Sequence, residues 1–518
     1  MTTKMDDIDV EKRVVGSDNG SGSLDRYSDP YMKEDTVEEI EPLHKFEKFM
    51  QHLKAEVRGI EQVPMEEKTD TSLWYTASMW MGGNMVLATF SLGALGITTF
   101  GLSFWDSVCC IIFFNLLGGM SVAFFSTFGP RFGLRQMVLS RYWFGYYGVR
   151  LIALLNCIAC IGWNAVNTMV SAQMLAIINN GALPPWAGVL IITLITMVVS
   201  MFGYRVVHTF EMWAWIPVLA IFIIVAVRMA KTDAFVSEPL NSGPTEAAAV
   251  LSFGASIYGF ATGWTTYGAD YTVYMRPDTN RTFVFFCIWA GEMFPCITAM
   301  ILGAACATGT VSNARFADAY EKNSIGGLLY EILVNKSLHG FGDFCMVILA
   351  LSTVANNIPN MYTLGLSAQT VWSKFRKVPR LVWTIIGCGV SLAIAIPAYM
   401  HFADAMENFM NFIGYWLAIY CGIVLPEHII YIGGMSKYDI SKHNDPKRLP
   451  IGFAAIFAFC CGVVGAVMGM SQVWFLGPIG KLIGDPTIGG DIGFELAFAF
   501  AFVGYNLVRW IELRVIGR

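Results

Sequence analysis

Two apolar segments of this 518-residue chain carry aromatic and amide side chains at spacings that suit a flat heterocycle. Trp163 and Asn167 are four residues apart, so a helix places the indole and the carboxamide on one face. Asn356 and Asn360 have the same spacing, and the intervening Pro359 frees a carbonyl one turn earlier. An indole stacks on a planar ring, and a carboxamide presents a donor beside an acceptor. These residue types favour the faces and edge of a nucleobase-like ring over a charged ligand.

Two further apolar segments are interrupted by glycine. One contains Gly82 and Gly83 ahead of Thr89, and the other has glycines on both sides of Trp264. In transporters built as inverted repeats, broken helices at corresponding positions of the two halves expose backbone groups at the binding site. Glycine also serves for close helix packing, and a single buried asparagine commonly bonds a neighbouring helix. Both structural alternatives stay open for each of these residues taken alone.

The elements that position these side chains are long apolar runs, which make the chain an all-α membrane protein. Apolar residues are 55% of the chain and charged residues only 14%, too few to cover a soluble protein of this size. Most runs approach the roughly 20 residues needed to cross a bilayer. The predicted spans are 73–98, 102–128, 151–179, 186–203, 212–230, 247–273, 282–308, 343–371, 381–400, 405–430, 451–471 and 492–512.

Charge decides the expected orientation of the twelve spans. An even number of spans puts both termini on one side of the membrane. The connectors after spans 2 and 8 each carry four basic residues and no acidic residue. The positive-inside rule therefore predicts that both termini are cytosolic.

The chain outside the spans is predicted to form tails. Residues 1–72 hold 18 acidic and 10 basic side chains and few apolar ones before Phe46, which predicts a mostly disordered, acidic cytosolic tail. A short amphipathic helix is possible over 46–57. Residues 513–518 form a short cytosolic C-terminal tail. The net charge of −5 comes from the N-terminal tail, so no nucleic-acid partner is expected.

Reactive and metal-binding patterns are not found in the sequence. The twelve cysteines lie almost entirely in apolar runs, without the spacing of a disulfide framework or a zinc site. The spans contain no nucleophile with a nearby base and no phosphate-binding loop. We therefore expect neither an enzyme nor a cofactor.

The chain resembles the fungal purine-cytosine permeases of the nucleobase cation symporter family over residues 57–512. The resemblance rests on the run from Gly129 to Gly145, on Trp163 with Asn167, on Trp264, and on the two asparagines of span 8. It implies the leucine-transporter fold, with inverted repeats over 73–230 and 247–430 and two peripheral helices over 451–512. It also implies roles for six side chains: Trp163 and Trp264 flank the base, Asn167 and Asn360 bond its edge, Asn356 supports them, and Thr89 is a weaker match.

One departure from sodium-coupled bacterial relatives bears on the coupling ion. Those relatives have a hydroxyl pair on span 8 where this chain has Val354 and Ala355. An aliphatic pair cannot supply the oxygen ligands that a sodium ion needs. Proton coupling is therefore expected, as the fungal branch also implies. Glu292, near the middle of span 7, is the candidate proton carrier, unless it is paired structurally or lies nearer the membrane interface.

The expected function is proton-coupled import of cytosine and purines (adenine, guanine and hypoxanthine) across the plasma membrane by alternating access. Two alternatives stay open. One is an importer of another flat solute, such as a pyridoxine-like vitamin, thiamine or allantoin. The other is a nutrient sensor that uses the same pocket without transport.

Overall fold

The computed structural model describes residues 59–201 and 204–518. Apart from one short hairpin of strands β1 (Ser471–Gln472) and β2 (Phe475–Leu476), the described chain is helical. The helices are α1 Leu73–Asn84, α2 Leu87–Thr98, α3 Phe104–Ser126, α4 Phe128–Phe132, α5 Gln136–Leu139, α6 Arg141–Ile177, α7 Pro185–Met201, α8 Tyr204–Ala230, α9 Pro244–Thr262, α10 Arg281–Ser312, α11 Ala314–Leu333, α12 Gly340–Val371, α13 Arg380–Ala398, α14 Phe402–Pro426, α15 Phe453–Gly469 and α16 Gly493–Ile516.

The helices confirm a multi-pass membrane architecture. Among the described residues, seven helical runs are long and apolar enough to cross a bilayer, and the bent pair of α1 and α2 makes an eighth. One of these runs, Arg380–Ile432, contains both α13 and α14, while α7 and α15 are apolar but shorter. Each predicted span contains a helix, but the count of twelve spans stays a prediction.

Apolar side chains that face outward show how the bundle meets its solvent. On α7, Leu194 and Val198 are exposed to 44% and 51%, and on α10 Phe283 and Phe286 are exposed to 64% and 55%. In water, such exposed apolar side chains on neighbouring turns would be costly, whereas lipid tails solvate them.

Span 1 is broken where the glycine pair predicted an interruption. α1 and α2 meet at an angle of 54°, and the two residues between them, Met85 and Val86, have extended or non-helical backbone. Just before the break, Gly82 lets α1 pack closely on α8, because a Cβ there would overlap the carbonyl of Glu211. The break leaves backbone groups of the first half of span 1 free to bond side chains from other helices.

Span 6 is helical only in its first part. α9 ends at Thr262, and residues 263–275 follow as turns and one short 3₁₀ turn, Gly268–Tyr271. We call residues 263–275 the unwound segment. It includes Trp264 and lies entirely in the interior except for the partly exposed Tyr274. The predicted span over 247–273, which its glycines were expected to interrupt, is therefore helical up to Thr262 and unwound in its second half.

The last part of the tail that was predicted to be mostly disordered, residues 59–72, is ordered. Val63 donates its N–H to the carbonyl of Gly133 (2.9 Å), and Asp70 donates its N–H to the carbonyl of Tyr274 (3.0 Å). Lys68 is buried, and its Nζ donates to the carbonyl of Pro130 (2.9 Å). Burial lowers the pKa of this amine. These long-range bonds order a segment whose composition alone favours disorder. The rest of the tail, including the possible helix over 46–57, lies outside the described residues.

Several other boundaries differ from the prediction, such as the start of α6 at Arg141 where span 3 was predicted to begin at 151. Span 5 was predicted to begin at 212, whereas α8 begins at Tyr204, so Glu211 lies two turns inside the helix. The connector between spans 7 and 8 contains an additional helix, α11, that was not predicted because its residues are mixed in polarity.

We call the end of the bundle that carries α4, α5 and Arg131 the basic end.

Candidate functional site

The two predicted aromatic residues face each other in the interior. Trp163 on α6 and Trp264 in the unwound segment have parallel rings, with centroids 6.4 Å apart and an interplanar angle of 9°. A flat ring in van der Waals contact with both would need about 7–8 Å, twice the usual carbon–carbon contact distance. Trp163 and Trp264 are 2% and 3% exposed, so the site is closed in this conformation. The distance between the two rings is slightly shorter than the distance that a base stacked between them would need.

The edge of the tryptophan pair is lined by glycine and phenylalanine. A Cβ at Gly263 would come within 2.7 Å of the Trp163 ring. Phe260 and Phe409 contact the same indole edge-to-face, with centroids 5.2 Å and 5.6 Å away. These contacts fix the plane of Trp163, so the orientation of the ring is set before any ligand arrives.

The predicted amides form one bonded cluster between α6 and α12. Asn167 donates from Nδ2 to Oδ1 of both Asn356 (2.7 Å) and Asn357 (2.8 Å). Asn360 donates from Nδ2 to the carbonyl of Asn356 (2.8 Å). All four side chains are fully buried. Within the described residues, Oδ1 of Asn167 has no hydrogen-bond partner, which leaves an acceptor that a ligand donor can use.

The break in span 1 is tied to this cluster. Asn356 donates from Nδ2 to the carbonyl of Gly83 (2.7 Å), one of the groups that the break exposes. Asn84 accepts from Nε1 of Trp264 (3.0 Å) and donates to the carbonyl of Trp80 (2.9 Å). The broken span 1, the unwound segment and α12 are therefore joined around one site, as inverted-repeat transporters require.

Thr89 is placed differently from the other predicted site residues. Its hydroxyl donates to the carbonyl of Asn84 (2.6 Å) across the break, and its side chain is fully buried. In this conformation the hydroxyl satisfies a backbone acceptor of span 1. Its role at the ligand stays a prediction.

Three side chains of the site were not predicted. Tyr267 in the unwound segment donates its hydroxyl to Oδ1 of Asn360 (3.0 Å), and its oxygen lies 3.1 Å from Sγ of Cys160. Asn84 bonds Trp264 as described above. Tyr267 and Cys160 lie in apolar runs, and Asn84 lies beside glycines. These residue types are too common in membrane helices for the sequence to single them out.

The predicted proton carrier, Glu292, is buried and faces helix α3. Glu292 on α10 is fully buried, and within the described residues neither carboxylate oxygen has a hydrogen-bond partner. A Cβ at Gly119 would come within 3.2 Å of its Oε2, so the carboxylate faces α3. Glu211 on α8 is also fully buried without a partner among these residues.

The two positions compared with a sodium site carry buried aliphatic side chains. Val354 packs against Ile192 and Ile358, and Ala355 is buried. One turn earlier, Ser352 faces the break in span 1, where its Oγ accepts the N–H of Leu87 (2.9 Å) and donates to the carbonyl of Leu349 (2.6 Å). The Ser352 hydroxyl therefore already has two hydrogen-bond partners within the protein.

A buried polar network lies between the site and the basic end of the bundle. Gln136 donates its backbone N–H to Oδ1 of Asp270 (2.7 Å). The side-chain Nε2 of Gln136 donates to the hydroxyl of Tyr420 (2.9 Å). Arg135 donates to the carbonyl of Asp270 (2.8 Å). These bonds join the unwound segment to α5 and α14. A cavity of about 450 Å³ near Arg131 lies at the same end and contains none of the predicted site residues.

Comparison with known proteins identifies the family. A family model described as a permease for cytosine/purines, uracil, thiamine and allantoin matches residues 62–485. The purine-cytosine permease FCY2 of Saccharomyces cerevisiae is 48% identical over 514 residues, covering 99% of this chain and 96% of the relative. The vitamin B6 transporter TPN1 of the same yeast is 31% identical and covers 89% of this chain and 88% of its own.

A solved structure shows the same fold. Mhp1, a nucleobase-cation-symport-1 family transporter in a closed conformation with bromovinylhydantoin bound, matches with a TM-score of 0.65 at 14% identity, covering 89% of this chain and 95% of Mhp1. The broken span 1 and the unwound span 6 agree with this leucine-transporter-like architecture, which confirms the predicted fold class. The chain therefore belongs to the family of permeases for cytosine/purines, uracil, thiamine and allantoin, within the nucleobase cation symporters, and is a transporter, not an enzyme.

Proposed function

We propose that this protein imports cytosine and the purines adenine, guanine and hypoxanthine across the plasma membrane, coupled to protons, by alternating access. The observation that carries the proposal is the parallel pair of Trp163 and Trp264 beside a buried amide cluster. Stacking between indoles recognises any planar ring, and the amides supply the donors and acceptors that a base edge requires. Extensive identity with a yeast purine-cytosine permease supports the substrate class.

Five of the predicted site residues contact or position the base in this proposal. Trp163 and Trp264 stack on the two faces of the base. Asn167 and Asn360 bond its edge, and Asn356 holds both amides and the carbonyl of Gly83 in position. Since most of these amide groups already bond one another, a base enters by exchanging hydrogen bonds, and affinity depends on how well the exchange is matched.

Charge and fold support the proposed orientation and repeats. The basic end, with α4, α5 and Arg131, faces the cytosol, as do both termini. Residues 73–230 and 247–430 are the two inverted repeats, and α15 and α16 are peripheral. The buried network of Gln136, Asp270 and Tyr420 then closes the cytosolic side, so release of the base requires that these bonds open.

Proton coupling is supported by the absence of side-chain oxygens at Val354 and Ala355 and by a buried carboxylate at Glu292 without a hydrogen-bond partner in the described chain. A carboxylate in such a place is most stable when protonated, which suits a carrier that loads and unloads a proton during the cycle.

A second substrate class has one observation in its favour. The vitamin B6 transporter TPN1 is 31% identical over most of this chain, and pyridoxine is also a flat ring. Uptake of radiolabelled cytosine in cells without their own permeases, with unlabelled competitors, separates the classes. We expect cytosine accumulation that adenine, guanine and hypoxanthine block and that pyridoxine, thiamine and allantoin do not. Preferential block by pyridoxine would support the vitamin alternative, and saturable binding without accumulation would support a sensor.

A further inference from the structure

The cavity at the basic end lies apart from the predicted site residues. It has a volume of about 450 Å³ and is lined from three segments: residues 127–131 where α3 joins α4, residues 277–282 at the start of α10, and residues 435–436 after α14. Sites for small organic ligands have volumes of this order. The cavity is therefore a candidate site for a second ligand, separate from the base.

Two arginines from different segments give the cavity its charge. Arg131 and Arg281 both line it, and among the described residues its lining includes no acidic side chain. Asp278, between two lining residues, is held by Arg276, whose Nε and Nη2 donate to the carboxylate (3.1 Å and 3.2 Å). Within the described chain, no hydrogen bond or ion pair engages Arg131 or Arg281. Guanidinium groups bind phosphate through paired hydrogen bonds, so these two side chains suit a phosphate ester.

Hydroxyl groups line the same cavity. Thr279, Thr282 and Ser436 contribute side chains that both donate and accept hydrogen bonds. Partners of this kind match a ligand that carries its own hydroxyls next to a phosphate. The headgroup of an inositol phospholipid has both groups, a phosphodiester and a ring of hydroxyls. Inorganic phosphate would fill only part of a cavity of this size.

The cavity also lies at the edge of the membrane. Arg281 is the first residue of α10, which is long and apolar enough to cross a bilayer. Phe283 and Phe286 follow within two turns and are exposed, so lipid tails contact them. A phospholipid with its headgroup in the cavity can therefore lay its acyl chains along α10 beside these rings. In the proposed orientation this is the cytosolic leaflet, where anionic lipids bind basic pockets between membrane helices.

We propose that this cavity binds an inositol phospholipid of the cytosolic leaflet, whose phosphate lies between Arg131 and Arg281 and whose acyl chains run along α10. The cavity adjoins the unwound segment: Thr272 donates its hydroxyl to the carbonyl of Ser126 (2.8 Å), and a Cβ at Gly129 would overlap that hydroxyl. A bound headgroup joins all three lining segments and so stabilises the closed bundle. The inference goes beyond the proposed function, and only the choice of leaflet rests on the proposed orientation.

The test measures lipid binding to the purified full-length protein in detergent. Native mass spectrometry counts the bound lipid. Thermal unfolding measures stabilisation by phosphatidylinositol, by phosphatidylcholine with the same acyl chains, and by inorganic phosphate. We expect a phosphatidylinositol molecule to be retained and the Tm to rise by about 3 °C or more at saturation. Phosphatidylcholine, which has no net charge, and inorganic phosphate, which has no acyl chain, should change the Tm little.

Substitutions of arginine separate this site from a general effect of charge. Arg131→Gln and Arg281→Gln should each weaken phosphatidylinositol binding about tenfold, because each removes a charged hydrogen-bond donor to the phosphate. Arg514→Gln is the matched control, since Arg514 lies in the last turn of α16, packs over the Trp510 ring (3.8 Å) and does not line the cavity. This variant should bind the lipid like the wild type. If one cavity variant is not produced, the other gives the same comparison.

Several results would overturn the inference. A protein that retains no phosphatidylinositol would refute it directly. Equal stabilisation by phosphatidylcholine would mean that lipid only solvates α10, and equal stabilisation by inorganic phosphate would mean a site for free anions. Binding that both cavity variants retain, or that Arg514→Gln also loses, would mean a nonspecific attraction to basic residues. Base uptake is not part of this readout, so a failure of the proposed function is distinguishable from a failure of the lipid site.

Discussion

At the scale of single residues, the site combines rigid aromatic surfaces with amides that already have partners. Trp163 is held by Phe260, Phe409 and Trp264, while Asn167 and Asn356 bond each other. Stacking therefore supplies binding energy without losing an existing polar contact, whereas each amide contact replaces another. We infer that affinity depends mainly on the tryptophans and selectivity mainly on the amides.

This division predicts different results for two substitutions at Trp163. Trp163→Ala should raise the KM for cytosine about tenfold or more, because a stacking face is lost. Trp163→Phe should restore part of the affinity, since a smaller ring still stacks. Uptake kinetics normalised to surface protein measure both. Equal loss in the two variants would argue that Trp163 acts only through packing volume.

At the scale of elements, the two glycines of span 1 have different neighbours. A Cβ at Gly82 would overlap the backbone carbonyl of Glu211, which a fixed helix cannot move aside. A Cβ at Gly83 would meet its nearest atom, on the ring of Trp264, at 3.8 Å, an ordinary contact. The close approach of α1 and α8 thus depends on one glycine of the pair.

We therefore expect Gly82→Ala to destabilise the α1–α8 contact by about 1–3 kcal/mol, the usual cost of overpacking. Its amount in the membrane and its thermal stability in detergent should fall. Gly83→Ala is the matched control and should be produced at the wild-type level. Similar stability of the two variants would contradict the packing seen here.

At the scale of the whole molecule, the orientation decides which end of the bundle opens to which compartment. Ser242 between α8 and α9 and Ser436 after α14 are both exposed and lie in connectors that the charge pattern assigns to opposite sides. In a background without reactive cysteines, Ser242→Cys should react with an impermeant thiol reagent on intact cells. Ser436→Cys should react only after permeabilisation. The reverse pattern would invert the proposed direction of the cycle.

The coupling ion is also a property of the whole molecule, because it links two sides of the membrane. We expect uptake to rise as the external pH is lowered, to stop with a protonophore and to continue when sodium is replaced. Glu292→Gln, which cannot release a proton, should retain substrate binding but lose accumulation against a gradient. Uptake that needs sodium and ignores the proton gradient would refute proton coupling.

The sequence by itself determined the properties of single helices. The long apolar runs identify a membrane protein, because apolar runs of that length are typical of helices that cross a bilayer. The helical period places Trp163 with Asn167, and Asn356 with Asn360, on shared faces. The paired glycines of span 1 marked its break. These features depend on residues a few positions apart, which local geometry relates directly.

The tertiary structure alone decided which faces meet. Asn84 bonds Trp264 across 180 residues, and Tyr267 bonds Asn360 across 93. Periodicity contains no information on such pairs, because they depend on how broken helices bend and pack. The same is true of Glu211, whose burial follows from the earlier start of α8. A buried polar group must find a partner or a ligand, and only the packed bundle determines which of the two it finds.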